Sequence, residues 1–214
     1  MKSAAYKWGQ THGATRDELT AICSYNKQNP IEYYETRFRQ PEWYLVCPNG
    51  AWLINQFLYG LSDPETILPE VERIAEDTIT RSIKRHLPNC LIPSLAEWAR
   101  LWLSKEDRTY RSAENIAQKT KIYFKENFPY NTIVAAQLWD FYKNVGYYRK
   151  FKVARNILCK AAWAEAELAT KDLKWSLSTR DNYEETAYKA EDIEYLEQAR
   201  YIRKLIPEWP GGGY

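Results

Sequence analysis

Apolar side chains recur at helical spacing along most of this 214-residue chain. Pro48-Asn49-Gly50 is a turn signal, and Leu53, Ile54, Phe57, Leu58 and Leu61 follow it on one helical face, with Gly60 near the expected C-terminal end. Ser62-Asp63-Pro64-Glu65 reads as a capping box with an early proline, and Pro69 restarts the helix. Val71, Ile74, Ala75, Thr78, Ile79, Ile83 and Leu87 then form one stripe running to about His86. Pro88 and Pro93 bracket a loop. Ser94-Leu95-Ala96-Glu97 is a second capping box, and Leu95, Trp98, Ala99 and Trp102 give a short apolar face closed by Lys105-Glu106-Asp107. Ala113, Ile116, Ala117, Thr120 and Phe124 make the next stripe, ended by Phe128-Pro129. Asn131 or Thr132 can cap a helix carrying Ala135, Leu138, Trp139 and Tyr142 as far as Gly146. Residues 147–175 hold the strongest helix former, rich in alanines that also let helices approach closely. A final helix is expected from about Asn182 to Ile206, stopped by Pro207.

No run of β-branched or aromatic residues alternates cleanly with polar ones, and no hairpin dipeptide separates two such runs. The pattern predicts an all-α protein: a single compact multi-helix bundle of about six to eight helices with an irregular N-terminal part. Residues 1–40 are punctuated by Gly9, Gly13, Asn29-Pro30 and Gln40-Pro41 and read as an irregular segment packed on the body. The bundle is expected over 41–208, and 209–214 as a flexible tail ending in three glycines and Tyr214.

Composition narrows the class. Thirty basic and 28 acidic residues leave a net charge of +2, which argues against a dedicated polyanion binder. Nine Trp and seventeen Tyr make aromatics abundant, and Trp52, Trp98, Trp139 and Trp163 sit among apolar helical positions, so packing is their default reading. Trp209, between Pro207 and Pro210, can either staple the tail or serve as an exposed anchor. The N-terminal residues have no apolar core of a secretory signal, and no stretch approaches 18 apolar residues. The expectation is a cytoplasmic protein without membrane contact. Cys23, Cys47, Cys90 and Cys159 form no Cys-x-x-Cys pair and read as reduced, buried thiols.

Familiar chemistries leave no trace. There is no HExxH, no Walker A loop, no GxGxxG and no GxSxG, and neither His12 nor His86 stands three residues after a Glu as a di-iron site needs. No cofactor or metal is implied. His86 follows Lys84-Arg85 and reads as a surface or C-capping residue. A Cys47–His86 nucleophile pair assembled from distant positions is the enzyme alternative, and it requires a concave pocket with perturbed pKa values. The carboxylate pairs Glu72/Glu76, Glu165/Glu167 and Glu184/Glu185 read as solvated helix faces.

Two segments carry opposite sign. Lys143, Arg149, Lys150, Lys152, Arg155 and Lys160 are six bases with no acid between Phe141 and Lys160, interleaved with Tyr142, Tyr147, Tyr148 and Phe151. Such a segment can hold phosphates and stack bases, or simply be a solvated or internally paired face. From Asp181 to Arg200, Asp181, Glu184, Glu185, Glu191, Asp192, Glu194 and Glu197 stand against only Lys189 and Arg200. That acidic helix can cover a basic partner, with Glu184, Glu185, Glu191 and Glu194 as candidate contacts, or pair with the basic segment of its own chain.

Four stretches resemble a group of helical bacterial immunity proteins of polymorphic toxin systems. Cys47-Pro48-Asn49-Gly50-Ala51-Trp52-Leu53-Ile54 is similar to that group's Cys-x-x-Gly-x-Trp-Leu-Leu segment. Glu97-Trp98-Ala99-Arg100-Leu101-Trp102-Leu103 is similar to its mid-chain helix, Ala161-Ala162-Trp163-Ala164-Glu165-Ala166 to its Ala-rich helix, and Glu194-Tyr195-Leu196-Glu197-Gln198-Ala199-Arg200 to its closing helix. This chain departs from the group in carrying less Ala and more Tyr and Lys. The resemblance implies a non-enzymatic binder that occludes a cognate toxin, and the leading expectation is an interaction protein, immunity-like or an accessory factor from a mobile element or phage, that occludes a protein partner. It supplies no catalytic residue. The alternative is a nucleic-acid-binding module using 141–160.

Overall fold

The computed structural model describes residues 44–45, 47–123, 130–142, 145–173 and 179–211. Among them are seven α-helices and no strand: α1 Gly50–Gly60, α2 Leu68–His86, α3 Pro93–Ser104, α4 Tyr110–Thr120, α5 Tyr130–Tyr142, α6 Tyr147–Thr170 and α7 Arg180–Leu205. Short 3-10 turns precede α2 and follow α2 and α4. The all-α bundle expected from the apolar spacing is the observed architecture. The segment 1–40, Cys23 and Lys143 lie outside the described residues.

Local chemistry sets the boundaries. Asn49 caps α1 by accepting from the Trp52 backbone N–H at 3.0 Å, as the turn signal implies. Ahead of α2 the capping residue is Asp63, not Ser62: its carboxylate accepts from the Glu65 N–H at 3.2 Å and starts a 3-10 turn at Pro64. α3 begins at Pro93 with no side-chain cap, so Ser94 is already inside the helix. A proline at the first position needs no partner for its absent N–H, which makes the serine cap dispensable. α3 stops at Lys105, whose φ of 67° is the left-handed C-cap conformation.

α1 is the central helix. Every residue from Gly50 to Leu58 is buried, which an outer amphipathic helix would not allow. Each fully buried Leu, Ile or Phe there contributes roughly 1.5–3 kcal/mol of transfer free energy. α6 is the hub, packing against α1, α2, α5 and α7. Buried Ala154, Ala161, Ala162, Ala164 and Ala166 keep its flank thin, so neighbouring backbones come close. α7 runs antiparallel to α6, and the Gln198 amide donates to the Leu158 carbonyl at 3.0 Å across that pair.

The chain end is held down. Trp209 packs its ring 5.8 Å from Tyr44 and 6.1 Å from Phe57, centroid to centroid. Residues 209–211 of the expected flexible tail are therefore anchored, and Trp209 is the staple of its two alternatives. Arg203 completes the closure by donating to the Tyr44 carbonyl at 2.9 Å and to the Cys47 carbonyl. Trp52, Trp98 and Trp139 are buried, as expected. Trp163 is not: it is 41% exposed, because the alanines on either side take the buried positions of α6. Cys47 and Cys159 are buried thiols, while Cys90 is half-buried.

Candidate interaction surface

Between α2, α6 and α7 lies a convergent charged cluster, buried at His86 and Glu194 and reaching solvent at Arg85 and Glu197, that the sequence did not disclose. His86, at the last turn of α2, is 1% exposed rather than a surface residue. Its Nε2 meets the Glu165 carboxylate of α6 at 2.9 Å. Burial alone would raise the Glu165 pKa, but the His86 hydrogen bond and the charges of His86 and Arg85 outweigh it and hold the carboxyl below its ordinary range. An ionised carboxylate can only accept, so the histidine donates from Nε2. Arg85 reaches Glu165 at 3.1 Å, Glu194 at 2.9 Å and Glu197 at 2.8 Å. Arg81 adds a 3.5 Å contact to Glu194, and the Gln198 amide donates to Glu194 at 3.0 Å. The cluster ties α2, α6 and α7 together, with two arginines and the His86 imidazole set among three carboxylates. Arg85 keeps 38% of its side chain exposed, so solvent screens part of its attraction to the buried Glu194.

A second group lies along the α6–α7 seam. Tyr195 and Cys159 share a hydrogen bond, and burial pushes both their pKa values up. Glu191 faces the same seam: burial, reinforced by the neighbouring Asp192, pushes its pKa up to about 7. Burial likewise raises Glu167 to about 7, opposed by the Lys160 charge. Glu165 and Glu167 are thus not a solvated pair. Glu72 and Glu76 are also committed, to Lys150 at 2.7 Å and to Arg108.

The four candidate acidic contacts of α7 divide. Glu194 is 4% exposed and buried in the α2–α6–α7 cluster, and Glu191 turns toward α6. Glu184, paired with Arg180 at 2.8 Å, and Glu185 stay at the surface. Among the described residues Glu194 and Glu197 pair with Arg81 and Arg85 of α2 rather than with the basic segment of α6. The candidate bases of α6 divide too. Lys150 is tied to Glu72, and Arg155 sits beside Cys159 and Tyr195. Arg149 and Lys152 are exposed.

Arg149, Lys152, Asn156, Lys160 and Trp163 recur three or four residues apart, which places them on one stripe of α6. None of the five is buried. Two cation–π pairs stand along it: Lys152 lies 4.4 Å from the Tyr148 ring centroid and Lys160 4.0 Å from that of Trp163. Tyr147 and Tyr148 are exposed at its basic end. Trp, Tyr and Arg are the side chains that most often anchor protein interfaces.

The Cys47 thiol is fully buried and donates to its own loop at Asn49 O, 3.6 Å away, whereas the His86 imidazole is engaged by Glu165. A groove of about 420 Å³ runs elsewhere, between α3 and α4, over Trp98 and flanked by Glu97, Asp107, Arg111 and Lys119. Neither Cys47 nor any member of the buried cluster lines it. Among the described residues no three His, Cys, Asp or Glu side chains are grouped to hold a metal ion, and no helix is long and apolar enough to cross a membrane. Comparison with protein-family models, with curated proteins and with solved structures finds no match.

Proposed function

We propose that this protein is a non-enzymatic binding module of the cytoplasm, immunity-like or a mobile-element accessory factor, that occludes a protein partner such as a toxin. One observation carries the reading. The ionisable groups that converge between α2, α6 and α7 are engaged with one another as a three-helix tie, while Trp163, Tyr147, Tyr148 and a set of unburied charges stand on the outside. Burying the inner groups stabilises a shape, and the outer ones offer anchors and steering. The acidic contact surface contracts from the four candidates to Glu184 and Glu185 with the neighbouring Asp181, since Glu194 is buried and Glu191 lies beside Tyr195 at the α6–α7 seam.

Affinity capture from the source cell, read by mass spectrometry, tests this. The expected result is one protein recovered in stoichiometric amount by the natural chain and lost with Glu184→Lys/Glu185→Lys. Recovery of nucleic acid without any protein overturns it. That outcome is the second reading, which the exposed Arg149 and Lys152 beside Tyr147 and Tyr148 favour. It predicts single-strand affinity that falls steeply with salt and is lost with Lys152→Glu.

A further inference from the structure

We infer that the groove between α3 and α4 binds an acidic peptide in extended form, one that sets an apolar side chain between two carboxylates. The site uses none of the residues assigned to the acidic contact of α7, and it stands independently of that reading.

Two helical faces build the groove. Trp98 and Leu101 of α3 and Ile116 of α4 give it an apolar floor. Trp98 and Ile116 are buried, and the Trp98 ring is held against Trp102 with 5.9 Å between centroids, so the floor is preformed. Along one wall Arg111, Asn115 and Lys119 recur every four residues of α4, which sets them in one row. All three are exposed. The volume of about 420 Å³ falls within the range of roughly 300–1,000 Å³ that binding pockets occupy.

The charges that line the groove decide the sign of its ligand. Two of them are carboxylates, and both are committed. Asp107 accepts from the Thr109 backbone N–H at 3.1 Å and from the Thr109 hydroxyl at 2.9 Å. Burial opposes its ionisation, but hydrogen bonds from the neutral Ser112 and Thr109 outweigh that and hold its pKa below the ordinary value. Asp107 is thus satisfied without Arg111. Glu97 pairs with Arg100 at 3.2 Å along its own helix. Glu114, the acid of α4, does not line the groove. The two bases are in the opposite condition: among the described residues neither Arg111 nor Lys119 has an ion-pair partner. What the groove leaves unmatched is positive charge.

Spacing selects the form of the ligand. Arg111 and Lys119 are eight positions apart in the chain, so about 12 Å separates them along α4. A single inorganic anion cannot reach both. An extended peptide rises about 3.3 Å per residue and turns alternate side chains to one side, so its positions i and i+4 stand about 13 Å apart with i+2 between them. Carboxylates at i and i+4 then meet the two bases, and an apolar side chain at i+2 lies over Trp98 and Ile116. Asn115, in the middle of the row, offers a donor and an acceptor to the peptide backbone. The charge-assisted bonds fix register, and burial of the central side chain supplies affinity.

Amide chemical-shift titration of the full isotope-labelled chain with the blocked peptide Glu-Thr-Phe-Thr-Glu tests the proposal. Saturable shifts are expected at Leu101, Arg111, Asn115 and Lys119, with an affinity that falls as salt rises. Exchanging both Glu of the peptide for Gln, or its Phe for Ala, is expected to weaken binding at least about tenfold. Arg111→Glu/Lys119→Glu is expected to lose the acidic peptide and to take Lys-Thr-Phe-Thr-Lys in its place. That exchange of preference separates lost complementarity from misfolding. Absence of saturable shifts at about 5 mM peptide overturns the proposal. Shifts confined to other helices, or equal affinity for the Gln peptide, overturn it as well. Capture of a protein through Glu184 and Glu185 is unaffected by any of these outcomes, so the two readings fail separately.

Discussion

Gln198 of α7 presses on the first residue of α1: a β-carbon placed on Gly50 would stand 2.5 Å from the Gln198 Cβ and 3.2 Å from the Ala199 backbone nitrogen. The neighbour cannot swing aside, because the contact is with the root of the side chain and its amide is fixed by Leu158 and Glu194. Gly50→Ala in an ordinary helix gains up to about 1 kcal/mol from propensity. Here overpacking costs roughly 1–3 kcal/mol and wins. Urea titration should show a net loss of about 1–2 kcal/mol for Gly50→Ala. An unchanged or raised midpoint would show that α1 and α7 are farther apart than described.

The His86–Glu165–Arg85 contact predicts acid lability with a definite sign. Glu165 has a folded pKa below its ordinary 4.5, so it contributes stability above pH 4.5 that is lost as pH falls through the lower folded value. Glu165→Gln removes the charge but keeps the shape. It should cost about 1–3 kcal/mol at pH 7, where the His86 Nε2–H loses a charged acceptor and the Arg85 guanidinium loses one of its carboxylates. The deficit relative to the natural chain should shrink on acidification to pH 3, as the natural carboxyl itself protonates. Thermal melts across that range check it, and a constant deficit would mean that the contact acts through packing alone.

The helices were legible because their punctuation is local. Asn49-Gly50, Gly60, Pro93, Gly146 and Pro207 each act on the backbone within a turn of themselves, and α1, α3, α6 and α7 begin or end at them. The charged cluster was not legible as a cluster, because its members are 79 and 109 residues apart in the chain. Yet part of the signal was present. His86 continues the spacing of Ala75, Ile79 and Ile83, so it falls on the buried stripe of α2 rather than on the flank its basic neighbours suggest. Glu194 likewise falls on the stripe of Gln198 and Ile202. Charge counted along a segment hid what charge read on the helical period reveals. Trp163 was misread for the converse reason: in an Ala-rich helix the small residues mark the packed side, and the large one is left outside.

Glu191 predicts a pH trend opposite to that of Glu165. Burial against the α6–α7 seam, with Asp192 adding to it, raises its pKa to about 7. The protonated form fits the fold, so its contribution is fully present below about pH 4.5 and is lost as pH rises through 7. Glu191→Gln fixes a neutral side chain of the same shape. It should be neutral near pH 4 and stabilising at pH 8 by about 1–2 kcal/mol, less than the full shift implies because the carboxyl is partly solvated. Chemical denaturation at both pH values measures the difference. A stabilisation equal at the two would assign the effect to something other than the proton.

Lys105 and Ser104 should respond to the same substitution with opposite signs. Lys105 holds a φ of 67°, and its N–H bonds back to the last turn of α3 at the Trp102 carbonyl, 3.2 Å away. A β-carbon is disfavoured in that left-handed conformation by roughly 1 kcal/mol, and a glycine is not. Lys105→Gly should therefore stabilise by about 0.5 kcal/mol after the added freedom of the unfolded chain is deducted. Ser104 is the last residue of α3. Its hydroxyl bonds the Leu101 carbonyl at 3.1 Å, and Ser104→Gly removes both that bond and helical propensity. That variant should lose about 0.5–1 kcal/mol. Paired urea curves on the two variants settle the point, since a helix that ended one residue earlier would exchange the two signs.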